Sequence, residues 1–156
     1  MEQRTPQIRM IAQNRRARRD FEILSTVEAG IELRGSEVKS LREGKVNLAD
    51  AYAAIEGGQV VLRNLHIPKY KMATHDTLDP DRPRRLLLHR QEIRKLTART
   101  VQRGMTLIPL ALYFKGKRAK VELGLAVGRK KYDKRDAIAK AEADRRIKQA
   151  LKKDLR

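Results

Sequence analysis

The sequence contains no cysteine, which removes a disulfide framework, a thiol nucleophile and cysteine-held zinc. Aromatic residues are only 4% of the chain, four Tyr and two Phe. Phe21, Tyr113 and Phe114 sit in apolar runs and read as core, so no aromatic sheet for stacking single-stranded bases is spelled out. No apolar run approaches the roughly 18 residues of a membrane span. The opening stretch, MEQRTPQIRMIAQNRRARR, holds no apolar core of signal-peptide length. A cytoplasmic protein with no membrane partner is expected. P-loop and GxGxxG motifs are missing. His75 with Asp76, Asp79 and Asp81 is the one cluster resembling a metal or nuclease centre. The Asp-Pro and Arg-Pro steps around Thr77 explain these acids better, as turn residues. No catalytic residue, cofactor or metal site is therefore expected.

What the chain has in excess is positive charge. It carries 37 Lys and Arg against 19 Asp and Glu over 156 residues, a formal net charge of +18. That excess is too large for solubility alone and points to nucleic acid, or less readily to an anionic membrane. Residues 129–156 hold a net +7 and the remaining 128 residues a net +11. The tail is thus far denser in charge, yet the body is basic too, and both can meet an anionic surface. Asn14, Arg15, Arg16, Ala17, Arg18 and Arg19 form a short cationic block suited to phosphate contacts.

The hydrophobic pattern is mainly that of short strands. Leu107, Pro109, Ala111 and Tyr113 alternate with Ile108, Leu110, Leu112 and Phe114, a strand buried on both faces. After a turn at Lys115-Gly116-Lys117, Ala119 to Val127 alternate with a polar set, a half-buried strand. Phe21, Ile23, Val27, Ala29, Ile31 and Leu33 mark one long strand, or two joined near Ser25-Thr26. Gly57-Gly58 predicts a hairpin between strands around Ala53 and Val61. Ser36 and Glu37 open a short helix that ends at Gly44. A second helix spans 91–103 with Ile93 and Leu96 inward, and Leu86 to Leu88 either continue the sheet or open it. The expected fold is mainly β with α+β character: a small closed antiparallel barrel flanked by short helices. The expected division is a loose arm over 1–13, a barrel body over 14–128 and a basic tail over 129–156. The tail has helical composition but is charged all round, so it suits folding against an RNA wall.

The stretch 112–135, LYFKGKRAKVELGLAVGRKKYDKR, resembles the end of the core of the small protein B (SmpB) family, bacterial partners of transfer-messenger RNA. NRRAR at 14–18, EAGIELRGSEVKSLREGKVNL at 28–48 and RRLLLHRQEI at 84–93 resemble further family blocks in order. The resemblance implies a barrel with partial likeness to an OB-fold, and a partner in the tRNA-like domain of transfer-messenger RNA. It also implies delivery to ribosomes stalled without a usable stop codon, with the tail in the empty mRNA channel beside the decoding centre. It places RNA binding on Asn14, with Arg15, Arg16 and Arg18 beside it, and on Glu28 and Leu87. The bland alternatives are a turn residue, a solvated strand acid and simple core. Ribosome function falls to Lys130, Lys131, Asp133, Lys134 and Arg135. Tyr132 among them reads as either a stacking ring or a solvated tyrosine. A monomeric, non-enzymatic adaptor is expected. The alternative is a structural ribosomal protein with an OB-like body and a basic extension.

If the body makes about five phosphate contacts, log K for RNA should fall with log salt at a slope of about −3.5 to −4.5. Affinities measured across a salt series test this, and a flat series would exclude phosphate-led binding.

Overall fold

A computed structural model describes residues 7–72, 78–102, 104–128, 145–147 and 149. The alternating runs become strands β1 (Ile8–Gln13), β2 (Phe21–Ile31), β3 (Tyr52–Glu56), β4 (Gln59–Arg63), β5 (Arg84–Leu87), β6 (Met105–Lys115) and β7 (Arg118–Gly128). Helices α1 (Ala17–Asp20), α2 (Gly35–Arg42) and α3 (Arg90–Thr100) lie between them. The strands form one seven-stranded antiparallel sheet in the order β1-β6-β3-β4-β5-β2-β7, and β6 also pairs with β7. That last pairing closes the ring, so the expected barrel is present. The long strands make the strongest walls: β7 pairs with β2 from Phe21↔Gly128 to Gly30↔Lys120 and with β6 from Met105↔Val127 to Lys115↔Arg118. The ring's seam is narrow, with β3 meeting β6 at Ala53↔Leu107.

Local sequence explains the corners. Gly57 and Gly58 both take positive φ, 58° and 75°, as the two-residue turn between β3 and β4 needs. Gly116, at φ 62°, does the same between β6 and β7. The helix α2 begins at Gly35, with Arg34 at its N-cap. Ser36 is thus not the cap. The Glu37 carboxylate fills that role from the third helical position, accepting the Arg34 N–H at 2.9 Å.

The loose arm expected over 1–13 is corrected for its second half. Residues 8–13 are a strand because β6 offers a free edge there, from Ile8↔Lys115 to Gln13↔Ala111. Ile11 and Ala12 then pack on the core.

The barrel interior is filled by Ala29, Ile31, Val60, Leu62, Leu86, Leu107, Leu112, Val121, Leu123 and Leu125, with Leu41 and Leu96 supplied by α2 and α3. A second, smaller cluster of Ala17, Ile108, Leu110 and Ala126 lies apart from it, with Phe21 and Ile23 against it. Bulges produce this division. The register shifts between Ile23 and Ser25 in β2 and between Pro109 and Ala111 in β6. One extra residue turns the alternation over, so Ile23 and Val27 face opposite sides although both are odd-numbered. Gly124 is needed at the crossing: a Cβ there would lie 2.9 Å from Leu110 Cδ1.

Among the described residues Arg84 is the one buried cation, 1% exposed. Its Nε donates to Glu37 Oε2 at 2.7 Å, and its other nitrogens donate to the carbonyls of Leu65 at 2.5 Å and Pro80 at 2.9 Å. Arg82 also binds Glu37. Burial pushes the Glu37 carboxyl up, but hydrogen bonds from Arg82, the Arg34 backbone and Arg84 outweigh it and hold the group below its ordinary range. A depressed carboxyl contributes stability above the unfolded value, about 4.3. That contribution is lost as pH falls through the lower folded value. Glu37→Gln should therefore destabilise the fold by about 3–5 kcal/mol at neutral pH, by stranding Arg84. The deficit should shrink on acidification below about pH 4. Urea melts of both proteins across pH check this, and equal melting at pH 7 would refute it.

Candidate nucleic-acid interface

The expected RNA-binding residues come from elements far apart in sequence. Asn14 is half-buried in the turn between β1 and α1. Its Nδ2 donates to Pro109 O at 3.3 Å, its Oδ1 accepts the Ala17 N–H at 3.3 Å and its own N–H meets Leu110 O at 2.8 Å. The turn-residue reading of Asn14 therefore has direct support: it pins the cationic block to β6. Arg15 and Arg16 in that turn and Arg18 and Arg19 in α1 are exposed. Asn14, Arg15 and Arg18 share a cavity of about 280 Å³ with Met10 and Glu122.

Glu122 carries this surface across the sheet, because it stands opposite Glu28 in the β2–β7 register. Glu28 is exposed, but it is not simply a solvated acid. The Tyr113 hydroxyl donates to its Oε2 at 2.5 Å and Lys115 Nζ to its Oε1 at 3.3 Å. The hydrogen bond from Tyr113 pulls the Glu28 carboxyl down, partly opposed by burial and helped by Lys115 and Lys120. Tyr113 moves the other way. Burial raises its hydroxyl's pKa far above the usual value, and Glu28 adds to the shift, so the proton stays on the oxygen.

Leu87 is not core. It is 48% exposed at the end of β5, while its neighbour Leu86 fills the barrel. Leu87 pairs with Gly30. A Cβ on Gly30 would sit 3.2 Å from Leu87 Cβ, so the missing side chain lets the leucine lie close on the sheet. Since Gly30 is two residues beyond Glu28 on β2, both face outward on the same side. Glu28 and Leu87 thus lie on the outer side of the paired β2 and β5, and Asn14 lines a cavity with Glu122, the β7 neighbour of Glu28.

Sequence reading left out the residues that link them: Tyr113, Lys115, Lys120 and Glu122. The turn at Gly116-Lys117 already pairs Lys115 with Arg118, and therefore Tyr113 with Lys120. That register was the available signal. Lys130, Lys131, Tyr132, Asp133, Lys134 and Arg135 lie outside the described residues, as do His75 and Asp76. The remaining acids of that cluster act locally. Asp79 accepts the Asp81 N–H at 2.9 Å, and Asp81 lies 2.8 Å from His66 Nδ1. Among the described residues no group of three or more His, Cys, Asp or Glu could hold a metal ion. Among them, too, no helix is long and apolar enough to cross a membrane.

Fold and charge together define a cationic, closed β-barrel protein. Comparison gives the family: residues 11–153 match the model described as SmpB protein, and the chain belongs to that family. It is 54% identical over 145 residues to the SsrA-binding protein of Halothermothrix orenii, covering 93% of this chain and 94% of that one. The SsrA-binding protein of Thermobifida fusca is 55% identical over 143 residues, covering 92% and 89%. A solved chain described as "tmRNA-SmpB: a journey to the center of the bacterial ribosome" superposes with a TM-score of 0.64 at 51% identity, covering 75% of this chain and 82% of that one.

Because Leu87 is half in solvent, Leu87→Ala should change thermal stability by less than about 1 kcal/mol. If the outer face is the interface, the same variant should bind RNA markedly less well. Unchanged binding would remove Leu87 from the site.

Proposed function

We propose that this protein is the RNA-binding adaptor of trans-translation: it holds the tRNA-like domain of transfer-messenger RNA and carries it to ribosomes stalled on mRNA. The observation that carries this reading is the outer surface of the basic barrel around β2 and β7. Pairwise contacts support it: Leu87 pairs with Gly30 on β2, Glu28 stands opposite Glu122 on β7, and Asn14, Arg15 and Arg18 share a cavity with Glu122. The arginines supply phosphate contacts that fix orientation, while the uncharged and acidic members supply discrimination. Recognition is not by base stacking, since among the described residues the one exposed aromatic is Tyr52 on β3. Family membership over nearly the whole chain favours this reading over a structural ribosomal protein.

The protein acts in the cytoplasm as a binding partner and not as an enzyme. The strand β7 runs to Gly128. From there the basic tail, with Lys130, Lys131, Tyr132, Asp133, Lys134 and Arg135, enters the empty mRNA channel. A polycation entering an RNA-lined tunnel gains from counterion release. In sequence, Asp133 stands just ahead of a run of helical composition, where an acid is suited to a cap.

Changing Asp133, Lys134 and Arg135 together to Ala separates the two surfaces. Thermal stability and binding to the isolated RNA should stay within a small margin of wild type, because the barrel is untouched. Tagging of stalled nascent chains should be nearly abolished. Asp133→Ala alone should cause partial loss, although it removes a negative charge and would help a mere polycation. Full tagging by the triple variant at normal protein level would refute the tail's role.

A further inference from the structure

Glu28 is an acid on the face that this reading turns toward an RNA, in a chain of net charge +18. A carboxylate repels phosphate, so its use at such an interface must be to accept a hydrogen bond. An RNA offers two kinds of donor, ribose 2′-hydroxyls and the N–H groups of bases.

The two groups that hold Glu28 are unlike. Lys115 is a flexible, half-exposed cation reaching Oε1 at 3.3 Å. Tyr113 is 8% exposed, and its place on β6 is set between Met10 of β1 and Lys120 of β7. Its hydroxyl therefore approaches Glu28 Oε2 from a fixed point, at 2.5 Å. The charged groups facing Glu28 are Lys115 on β6 and Lys120 and Glu122 on β7. Of the groups around Glu28, Tyr113 alone is both buried and a donor. Its raised pKa keeps it a donor at any ordinary pH, and Glu28 is correspondingly held ionised.

We infer that Tyr113 is a positioning residue for RNA recognition: its buried hydroxyl fixes one oxygen of Glu28, so that the carboxylate accepts a hydrogen bond from a ribose hydroxyl or base N–H of the bound RNA. This rests on the reading of Glu28 as an RNA contact. Tyr113 touches no RNA itself. It removes the carboxylate's rotational freedom before binding, which a bare strand glutamate would have to lose on association. A merely structural tyrosine would instead support the fold and leave the energetics of Glu28 unaffected.

The test is a double-mutant cycle with the full chain, using the isolated tRNA-like domain of transfer-messenger RNA as the probe. Tyr113→Phe keeps the ring and removes the hydroxyl. Glu28→Gln keeps the shape and removes the charge. Each single variant should weaken binding about tenfold, the worth of one hydrogen bond. The double variant should bind no more weakly than Glu28→Gln alone, and the salt slope should be unchanged in all of them. Additive losses would overturn the positioning role and make Tyr113 structural. Loss from Glu28→Gln with none from Tyr113→Phe would overturn the proposal and leave Glu28 as a contact. No loss from Glu28→Gln would overturn the reading of Glu28 itself, and the proposal with it. Should Tyr113→Phe not fold, the Glu28 carboxyl and Tyr113 ring resonances of the unaltered protein serve instead. Both should shift when the RNA binds, and the absence of a shift overturns the proposal. Single 2′-deoxy substitutions and base amino deletions in the probe then separate the two donors. One such position should weaken wild-type binding and leave Glu28→Gln unaffected, and a complete scan without one overturns the proposal.

Discussion

The ion pair between Arg84 and Glu37 decides how the barrel is assembled. A buried guanidinium costs several kcal/mol in lost hydration unless every donor finds a partner. Arg84 finds them on three segments: Glu37 of α2, Leu65 after β4 and Pro80 of the long connection. Satisfying one side chain therefore fixes where α2, the end of β4 and the start of β5 lie. Ser40 reinforces the arrangement by donating to Pro68 O at 2.9 Å, and the Ile67 N–H meets Pro80 O at 3.0 Å. No buried side-chain nitrogen or oxygen among the described residues lacks a partner. The consequence reaches the outer face. With Arg84 held inward, strand alternation sends Arg85 outward, Leu86 inward and Leu87 outward onto Gly30. An interior charge thus sets an exterior leucine.

Bulges make the second decision. In β6 the shift between Pro109 and Ala111 lets Leu107 and Leu112 share the interior. Tyr113, which plain alternation would place with Leu107, is turned outward toward Glu28. In β2 the shift between Ile23 and Ser25 likewise puts Phe21 and Ile23 on the smaller cluster beneath α1 while Val27, Ala29 and Ile31 fill the barrel. Without the shift in β6, Tyr113 would not face Glu28.

These two decisions also mark where sequence reading stops. Strand runs, the Gly57-Gly58 and Gly116 turns and the closed barrel were legible because they are local patterns with fixed periods. The bulges were not, because an apolar run buried on both sides reads the same in either phase. The strand at Ile8–Gln13 was not, because most of it is exposed and its order comes from β6, about a hundred residues away. Arg84 looked like one cation among 37. Only the fold shows it walled in. Leu87 lay in a triple leucine whose three members take different environments, and composition cannot rank them. Tyr113 read as core; it is buried, but outside both apolar clusters, and its hydroxyl's partner sits 85 positions earlier.

On the proposed reading, charge and discrimination are divided between different residues. A formal charge of +18 attracts any polyanion, and phosphate contacts carry no preference among RNAs. Adding arginines to such a surface raises affinity for the right and wrong RNA together. Selectivity has to come from groups that the wrong partner leaves unsatisfied. A fixed carboxylate is such a group: opposite a donor it is satisfied, and opposite a phosphate it repels. An exposed leucine acts similarly, since it gains only where a matching apolar or ribose surface covers it. On this reading Glu28 and Leu87 weaken nonspecific binding by being poor phosphate ligands. That is why their geometry is fixed from beneath, by Tyr113 and Gly30, while the arginines of the β1–α1 turn stand free in solvent.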